Sequence, residues 1–313
     1  MVTLVTGGAG FVGSHLVDCL VDAGHKVRIF DNFSSGRHSF LSHHGDKIEI
    51  VEADLLDLDA VKDAMEGVNM VFHLAANPDI RLGTVVTDTD LKQGTVATYN
   101  VLEAMRVTGV SKIAFASSSV VYGEALEMPT PENYGPLFPI SLYGASKLGS
   151  EALITSWVGT FELQAWIFRF ANIVGSRGTH GVIYDFIHKL HRNKSSLEVL
   201  GNGRQEKSYM EVVDCAKAML HVVANTNEPI NCFNLGTKDT CNVRRIAEIV
   251  LEETDCSGAD IQYTGGDRGW AGDVPKSMLD PRRLFELGYE PNYSSEEAVR
   301  HTTRCLVDEI GQP

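Results

Sequence analysis

Tyr143 and Lys147 stand four residues apart in the segment Pro139-Ile140-Ser141-Leu142-Tyr143-Gly144-Ala145-Ser146-Lys147. The surrounding pattern is helical, so both side chains share one face. A phenol is a poor base near neutrality because its ordinary pKa is about 10. A neighbouring ammonium favours the phenolate, which turns the pair into a proton acceptor. Ser117-Ser118-Ser119 closes an apolar run upstream. A serine hydroxyl there can hold a substrate oxygen and help relay its proton. The Tyr-x-x-x-Lys spacing occurs once in the chain and carries little by itself, so its weight comes from what surrounds it.

The strongest surrounding feature is at the start of the chain. Val2-Thr3-Leu4-Val5-Thr6 is a β-branched run, Gly7-Gly8-Ala9-Gly10-Phe11-Val12-Gly13 follows, and an amphipathic stretch begins at Ser14. Strand, glycine turn and helix together read as a dinucleotide site. Gly7, Gly10 and Gly13 let the backbone turn tightly and approach a pyrophosphate, and the helix start offers unpaired N–H groups. Asp31 ends a second strand, eighteen residues after Gly13. A carboxylate there accepts hydrogen bonds from an adenosine ribose and repels a 2′-phosphate, which favours NAD over NADP. The alternative is a strand-end acid capping the next turn. Asp54, after a third strand, is open to the same two readings, as a contact to the adenine amino group or as a helix cap. The positive nicotinamide ring of such a cofactor would favour the Tyr143 phenolate further.

These residues need a sheet to hold them. Candidate strands are 3–6, 27–31, 48–52, 70–74, 113–117 and 165–170, with helices expected at about 12–23, 58–66, 87–108 and 142–159. Buried strands alternating with helical crossovers indicate an α/β protein with a Rossmann-type, doubly wound parallel sheet. The ligand is then expected at the carboxyl ends of the strands, where the motifs fall. The second half is less regular: 197–200 with Gly201-Asn202-Gly203 reads as a strand and turn, 246–253 as a helix, and 265–275 as a glycine-bearing loop. The expected organisation is an NAD-binding domain over 1–172 and a smaller C-terminal substrate-binding lobe over 173–313, packed over the open edge of the site, with segments interleaved.

The bulk numbers fit an ordinary globular chain. Of 313 residues, 43% are hydrophobic and 22% charged. A net charge of −14 argues against nucleic acid or an anionic membrane as partner. No stretch approaches the roughly 20 apolar residues of a membrane span, and a strand beginning at residue 2 leaves no expected signal peptide. Six scattered cysteines without a Cys-x-x-Cys pair suggest reduced thiols and a cytoplasmic setting. Cys19 falls inside the first helix pattern and reads as core. Asp185, His188 and His191 share a helical spacing, and His43-His44 sits in a polar loop. Both read as packed or solvated residues, so no metal is expected.

The motifs together resemble an extended short-chain dehydrogenase/reductase of the NAD-dependent epimerase/dehydratase family. The resemblance spans nearly the whole chain and rests on Thr6–Gly13, Asp31-Asn32-Phe33-Ser34-Ser35-Gly36, His73-Leu74-Ala75-Ala76, Ser117–Gly123, the Tyr143 segment and Arg169-Phe170-Ala171-Asn172. Thr179–Phe186 and Gly266-Asp267-Arg268-Gly269-Trp270 are similar to the archaeal-type UDP-glucose (UDP-galactose) 4-epimerase branch. The resemblance implies that Tyr143 takes the proton of a sugar 4-hydroxyl while C4 gives a hydride to tightly held NAD. The 4-keto sugar then turns over and is reduced on its other face. Ser118, four residues before Tyr122, occupies the family's Ser/Thr position, and Lys147 would bind the nicotinamide ribose. The NAD site would be lined by Phe11, Val12, Asp31, Asn32, Ser34, Ser35, Gly36, Asp54, Leu55, Leu74, Ala75, Ala76 and Ala171. Substrate contacts would come from Ser118, Tyr143, Asn172, Lys207, Arg268, Asp273 and Ser277. A homodimer packed through helices 87–108 and 142–159 is also implied.

The alignment also discriminates. The 4,6-dehydratases carry an Asp-Glu pair just after the Ser/Thr, where this chain has Ser119 and Val120, so water elimination lacks its acid–base pair. A UDP-glucuronate 4-epimerase would share every catalytic residue named, and a non-catalytic NAD sensor would typically lose Tyr143 or Lys147. Three positions depart from the family pattern. Gly94 replaces a cofactor-contacting Asn. Lys207-Ser208-Tyr209 replaces an Arg-led segment, and a lysine cannot present a bidentate fork. Trp270 replaces an Arg three residues before Asp273, and Arg268 is the expected substitute. Ser277 stands where hexose enzymes carry a bulky aromatic, which leaves room for an N-acetyl group.

Overall fold

The computed structural model describes residues 1–313 except Ala271, and of Arg81 only the backbone. The chain divides into two compact units, each assembled from separate segments. The first comprises residues 1–123, 136–169 and 219–233, and the second 124–135, 170–218 and 234–313.

The first unit is built on β1 (Val2–Thr6), β2 (Lys26–Asp31), β3 (Ile48–Glu52), β4 (Met70–His73), β5 (Lys112–Ser118) and β6 (Gln164–Phe170). With the strand Ile230–Leu235 they form a seven-stranded sheet in the order Ile230–Leu235, β6, β5, β4, β1, β2, β3. β1 runs parallel to both β2 and β4, β2 to β3, and β4 to β5. Leu4 and Val5 are both fully buried although consecutive strand residues face opposite ways, so helices cover both faces. The crossovers include α1 (Phe11–Asp22), α2 (Leu58–Met65), α3 (Ala97–Thr108) and α4 (Leu142–Phe161). One core layer joins Leu4, Phe30, Val71, Ile113 and Ile167 of the sheet to Val101, Met105 and Ile154 of the helices.

All six strands expected from the sequence are present, and the doubly wound parallel layout holds. Two details differ. The edge strand Ile230–Leu235 was not expected; it alternates Ile230-Asn231-Cys232-Phe233-Asn234-Leu235, a weaker pattern than the continuous apolar runs of the inner strands. Asn231 and Asn234 are buried because their amides bond backbone carbonyls: Asn231 those of Ala165 and Glu228, Asn234 those of Thr130 and Asp280. The helix expected over 87–108 is interrupted, its first part Leu91–Val96 being a π-type segment. Gly94 lies there, and a Cβ on it would fall 2.7 Å from Ser146 Oγ of α4. The departure at Gly94 therefore coincides with close packing on α4, where any side chain would require Ser146 to shift.

In the second unit, β7 (Asn172–Val174) pairs with β10 (Tyr209–Glu211), and β8 (Ser196–Val199) with β13 (Asp260–Tyr263). β9 (Glu206–Lys207) lies between β12 (Cys241–Asn242) and β14 (Lys276–Ser277), β11 being the edge strand Ile230–Leu235. The helices are α5 (Val182–Arg192), α6 (Val212–Asn225), whose second half belongs to the first unit, α7 (Val243–Glu253), α8 (Arg282–Glu286) and α9 (Ser295–Ile310). Phe186, Leu190, Leu197, Val199, Ile246, Val250 and Leu306 form its core. The capping box of Ser294 and Glu297 starts α9. Among the described residues, no helix is long and apolar enough to cross a membrane.

A buried polar network ties α4 to the sheet. Glu151 accepts from Arg169 Nε and Nη2 at 3.0 and 2.7 Å and from Ser117 Oγ, while Arg169 Nη1 donates to Tyr122 Oη at 3.0 Å. Both charges are buried, at 7% and 8% side-chain exposure. Removing one partner leaves the other uncompensated, which costs about 3–5 kcal/mol. Glu151→Ala is expected to lower unfolding free energy by about that amount, read by urea denaturation.

Candidate active site

Each element of the site leaves the carboxyl end of a sheet strand. After β1, Gly7 adopts φ +69°, and a Cβ there would lie 2.7 Å from the Ala75 nitrogen. A Cβ on Gly13 would lie 2.0 Å from the Gly7 carbonyl oxygen. Only glycine fits either position, and the turn packs directly on the Leu74–Ala75 backbone after β4. Gly10 is the N-cap of α1, with no side-chain cap and no acid in the first turn. The helix start thus keeps its N–H groups and positive end for an anion, as a pyrophosphate requires.

Asp31 is buried at the end of β2. Its Oδ2 accepts from the Ala9 N–H and its Oδ1 from the Phe33 N–H, each at 2.9 Å. Burial raises the carboxyl above the ordinary range, and the two backbone bonds and His38 oppose this. Asp31 is therefore a turn cap for both the glycine turn and the loop after it. Each oxygen keeps a second lone pair for a ribose hydroxyl. Arg37 N–H donates to the Ala9 carbonyl at 2.9 Å, which folds the Asp31–Gly36 loop onto the glycine turn. Asn32 Oδ1 accepts from the Ser34 backbone and hydroxyl, and its amide donates to Asp54 Oδ2 at 3.0 Å. Asp54 Oδ1 also caps the Leu56 N–H. Leu55 is buried with its side chain in the core.

Tyr143 and Lys147 lie on α4, started by Ser141, whose hydroxyl accepts from the Gly144 N–H at 3.0 Å. Lys147 is 3% exposed, and its Nζ donates to the Ala116 carbonyl of β5 at 2.6 Å. The ammonium also lies 4.8 Å from the Phe115 ring centroid and 5.6 Å from that of Tyr143. Burial lowers the Lys147 pKa to about 8, against the raising effect of Glu151 and Asp90. Ser117 points into the Glu151 network, so Ser118 faces the other side of β5, where its Oγ accepts from the Val120 N–H at 3.4 Å. A Cβ on Gly144 would lie 3.0 Å from the Val120 carbonyl, so the turn after Ser118 packs against the start of α4.

The electrostatics differ from the sequence expectation in one respect. Burial, and then the Asp90 carboxylate, push the Tyr143 phenol above its ordinary value. The protein's own groups hold Tyr143 protonated. Asp90 is itself 1% exposed, with Oδ1 accepting from Asn77 and Oδ2 unpartnered among the described residues. His73 bridges Thr6 and Thr98 at 2.7 and 3.0 Å, and burial, then Lys147, lower its pKa to about 3. Sequence reasoning gave Glu151, Asp90 and His73 no part in the site, although His73 lies in a segment that carries the family resemblance. Glu151 has one visible signal, its helical spacing of four from Lys147; the other two are brought in by the sheet.

Within the second unit the predicted substrate residues form a cluster of their own. Lys207 Nζ lies 2.6 Å from Asp273 Oδ1, and Gly269 N–H donates to Asp273 Oδ2 at 3.1 Å. Arg268 donates to the Asp273 carbonyl at 2.6 Å and to Glu124 at 2.5 Å. Both cations expected to contact substrate hold carboxylate partners, Lys207 with Asp273 and Arg268 with Glu124. Ser277 is the register partner of Lys207 on the adjacent parallel strand. Asn172 pairs through its backbone with Ser208, and Ala171 with Leu235.

A model of the NAD dependent epimerase/dehydratase family matches residues 3–236. The chain belongs to that family. NAD is its cofactor, and the glycine cradle and Asp31 fit it. This epimerase-family enzyme is 35% identical over 311 residues to a putative UDP-glucose 4-epimerase of Methanocaldococcus jannaschii, covering 97% of each chain. It resembles the crystal structure of a UDP-galactose 4-epimerase with 41% identity and TM-score 0.90, over 99% of this chain and 100% of that one. A UDP-N-acetylglucosamine 4-epimerase from Methanobrevibacter ruminantium, solved with UDP-N-acetylmuramic acid, matches with 28% identity and TM-score 0.88, over 98% of each chain.

The glycine cradle gives a direct test. Gly13→Ala forces the turn open against the Gly7 carbonyl, so the purified variant is expected to carry little NAD, measured by cofactor release on denaturation and compared with wild type.

Proposed function

We propose that the enzyme interconverts the C4 epimers of a UDP-hexose, UDP-glucose and UDP-galactose foremost. The observation that carries this reading is the Tyr143–Lys147 face of α4, held against β5 by the bond from Lys147 to the Ala116 carbonyl. Phe11, Val12 and Gly13 at the start of α1, Asp31, Asn32, Ser34, Ser35 and Gly36, the Leu74–Ala76 backbone and Lys147 hold the NAD, with Asp54 supporting Asn32 and Ala171 a further lining residue. Bound NAD supplies a hydride acceptor and a positively charged ring. Tyr143 removes the proton of the sugar 4-hydroxyl and returns it after the 4-keto sugar has turned over. Ser118 holds the same oxygen. The Lys147 ammonium stabilises the phenolate against the opposing pull of burial and Asp90.

In the second unit, Lys207 and Arg268 hold the nucleotide diphosphate. Lys207 has three N–H donors and spends one on Asp273, so its ammonium is placed and still able to bind a phosphate oxygen. Asp273 orients both cations, and Asn172 contributes a polar contact. Ser277, beside Lys207 in the strand register, leaves space at the sugar C2 substituent, which extends the substrates to UDP-N-acetylhexosamines. Helices α3 and α4 expose Tyr99, Val107, Leu142 and Phe161, which supports a homodimer packed through them. None of the six cysteines forms a disulfide among the described residues, which supports a reducing, cytoplasmic setting.

Purified protein without added cofactor, given UDP-glucose, UDP-galactose, UDP-N-acetylglucosamine and UDP-glucuronate separately, is expected to invert C4 of the first three, followed by proton NMR. Tyr143→Phe is expected to abolish turnover while keeping NAD bound; turnover near the wild-type rate would overturn the assignment of the base. Ser277→Tyr is expected to suppress N-acetylhexosamine turnover and spare hexose turnover, and equal loss of both would refute the pocket reading.

A further inference from the structure

The loop between β2 and β3 brings two histidines onto one carboxylate. His43 and His44 lie in the 3-10 stretch Ser42–Lys47, and Asp18 lies on α1. His43 Nε2 is 2.9 Å and His44 Nε2 2.7 Å from the same oxygen, Asp18 Oδ1. The two rings sit 4.0 Å apart at 40°. His44 is buried and Asp18 partly so, while His43 faces solvent. Ligand atoms of all three lie within 4.8 Å of one another. The sequence reading gave this pair no role and expected no metal. The grouping exists only because the loop returns to α1, 25 residues from Asp18 to His43. Asp185, His188 and His191, which share a helix spacing, form no such grouping among the described residues.

We propose that Asp18, His43 and His44 bind one divalent transition-metal ion, with solvent completing the coordination. Two imidazoles and one carboxylate are a borderline donor set, suited to zinc and poorly suited to calcium or magnesium. Zinc bonds of about 2.0–2.2 Å need the imidazole nitrogens to withdraw from the carboxylate by about half an ångström, a change that side-chain torsions supply. Without an ion, both imidazoles compete to donate to one oxygen. With one, each nitrogen and the carboxylate oxygen becomes a ligand. The ion would join α1, whose first turn faces the glycine cradle, to the far half of the loop that begins at Asp31. Its effect is a staple on the adenosine side of the NAD domain, adding stability by mass action.

The test uses the full-length, NAD-bearing protein stripped of metal. Zinc titration by calorimetry and cobalt titration by visible absorption are expected to give one ion per chain, a nitrogen–oxygen cobalt spectrum and a raised unfolding temperature. His44→Asn and Asp18→Asn are expected to weaken binding by more than about a hundredfold, beyond what loss of an outer-shell partner costs. His43→Asn alters an exposed side chain, so it keeps the test valid if the other variants fold poorly, and it too is expected to weaken binding. Three results would overturn the proposal: no binding by wild type, unchanged binding in His43→Asn, or a thiolate charge-transfer band, which would put the ion on Cys19 or another of the cysteines.

Discussion

Lys147 carries its charge at 3% exposure, bonded to the carbonyl of Ala116. A buried ammonium persists only where hydrogen bonds and nearby negative charge repay its lost hydration. Here the Ala116 carbonyl, the Phe115 ring, Glu151 and Asp90 all contribute. That requirement fixes the face of α4 turned to β5. Because Tyr143 is one helical turn earlier, it fixes Tyr143 too. The Glu151–Arg169 pair then anchors the same helix a turn further on, so α4 is placed by buried polar bonds as well as by apolar packing.

The same arrangement sets the proton balance. Burial raises the phenol of Tyr143 and lowers Lys147 and His73. Each shift favours the neutral form, the direction expected of an enclosed site. His73 is thereby kept out of acid–base work near neutrality and acts as a bridge between Thr6 and Thr98. Asp90 opposes ionisation of the phenol, while the Lys147 ammonium lies 5.6 Å from its ring centroid. In the proposed reaction, a phenol held in this balance would become a base only when further positive charge arrives with the cofactor.

The second unit shows a different economy. Lys207, Arg268 and Asp273 are arranged by pairing with one another and with Glu124. Such pairs hold long, flexible cations in place at little net gain in stability. Arginine is the better fork for phosphate, but in the proposed diphosphate site a lysine already pinned by Asp273 loses less rotamer freedom on binding than a free one.

The sequence by itself determined the strand–glycine–helix start, the inner strands of the sheet, Asp31 at the end of β2, and the shared face of Tyr143 and Lys147. These are local patterns: apolar runs, glycines where no Cβ fits, and a spacing of four in a helix. It did not determine Ile230–Leu235, whose alternation matches a half-covered edge and could equally have been loop. It read Gly94 as a cofactor contact either missing or supplied by backbone, and the structure adds that the π-type segment meets Ser146 there. It gave Asp90, His73 and Glu151 no part in the site's electrostatics. Only the tertiary structure decided these, and likewise the meeting of Asp18 with His43 and His44. Partners separated by tens of residues are brought together by strand order and loop return, and neither leaves a periodic mark on the chain.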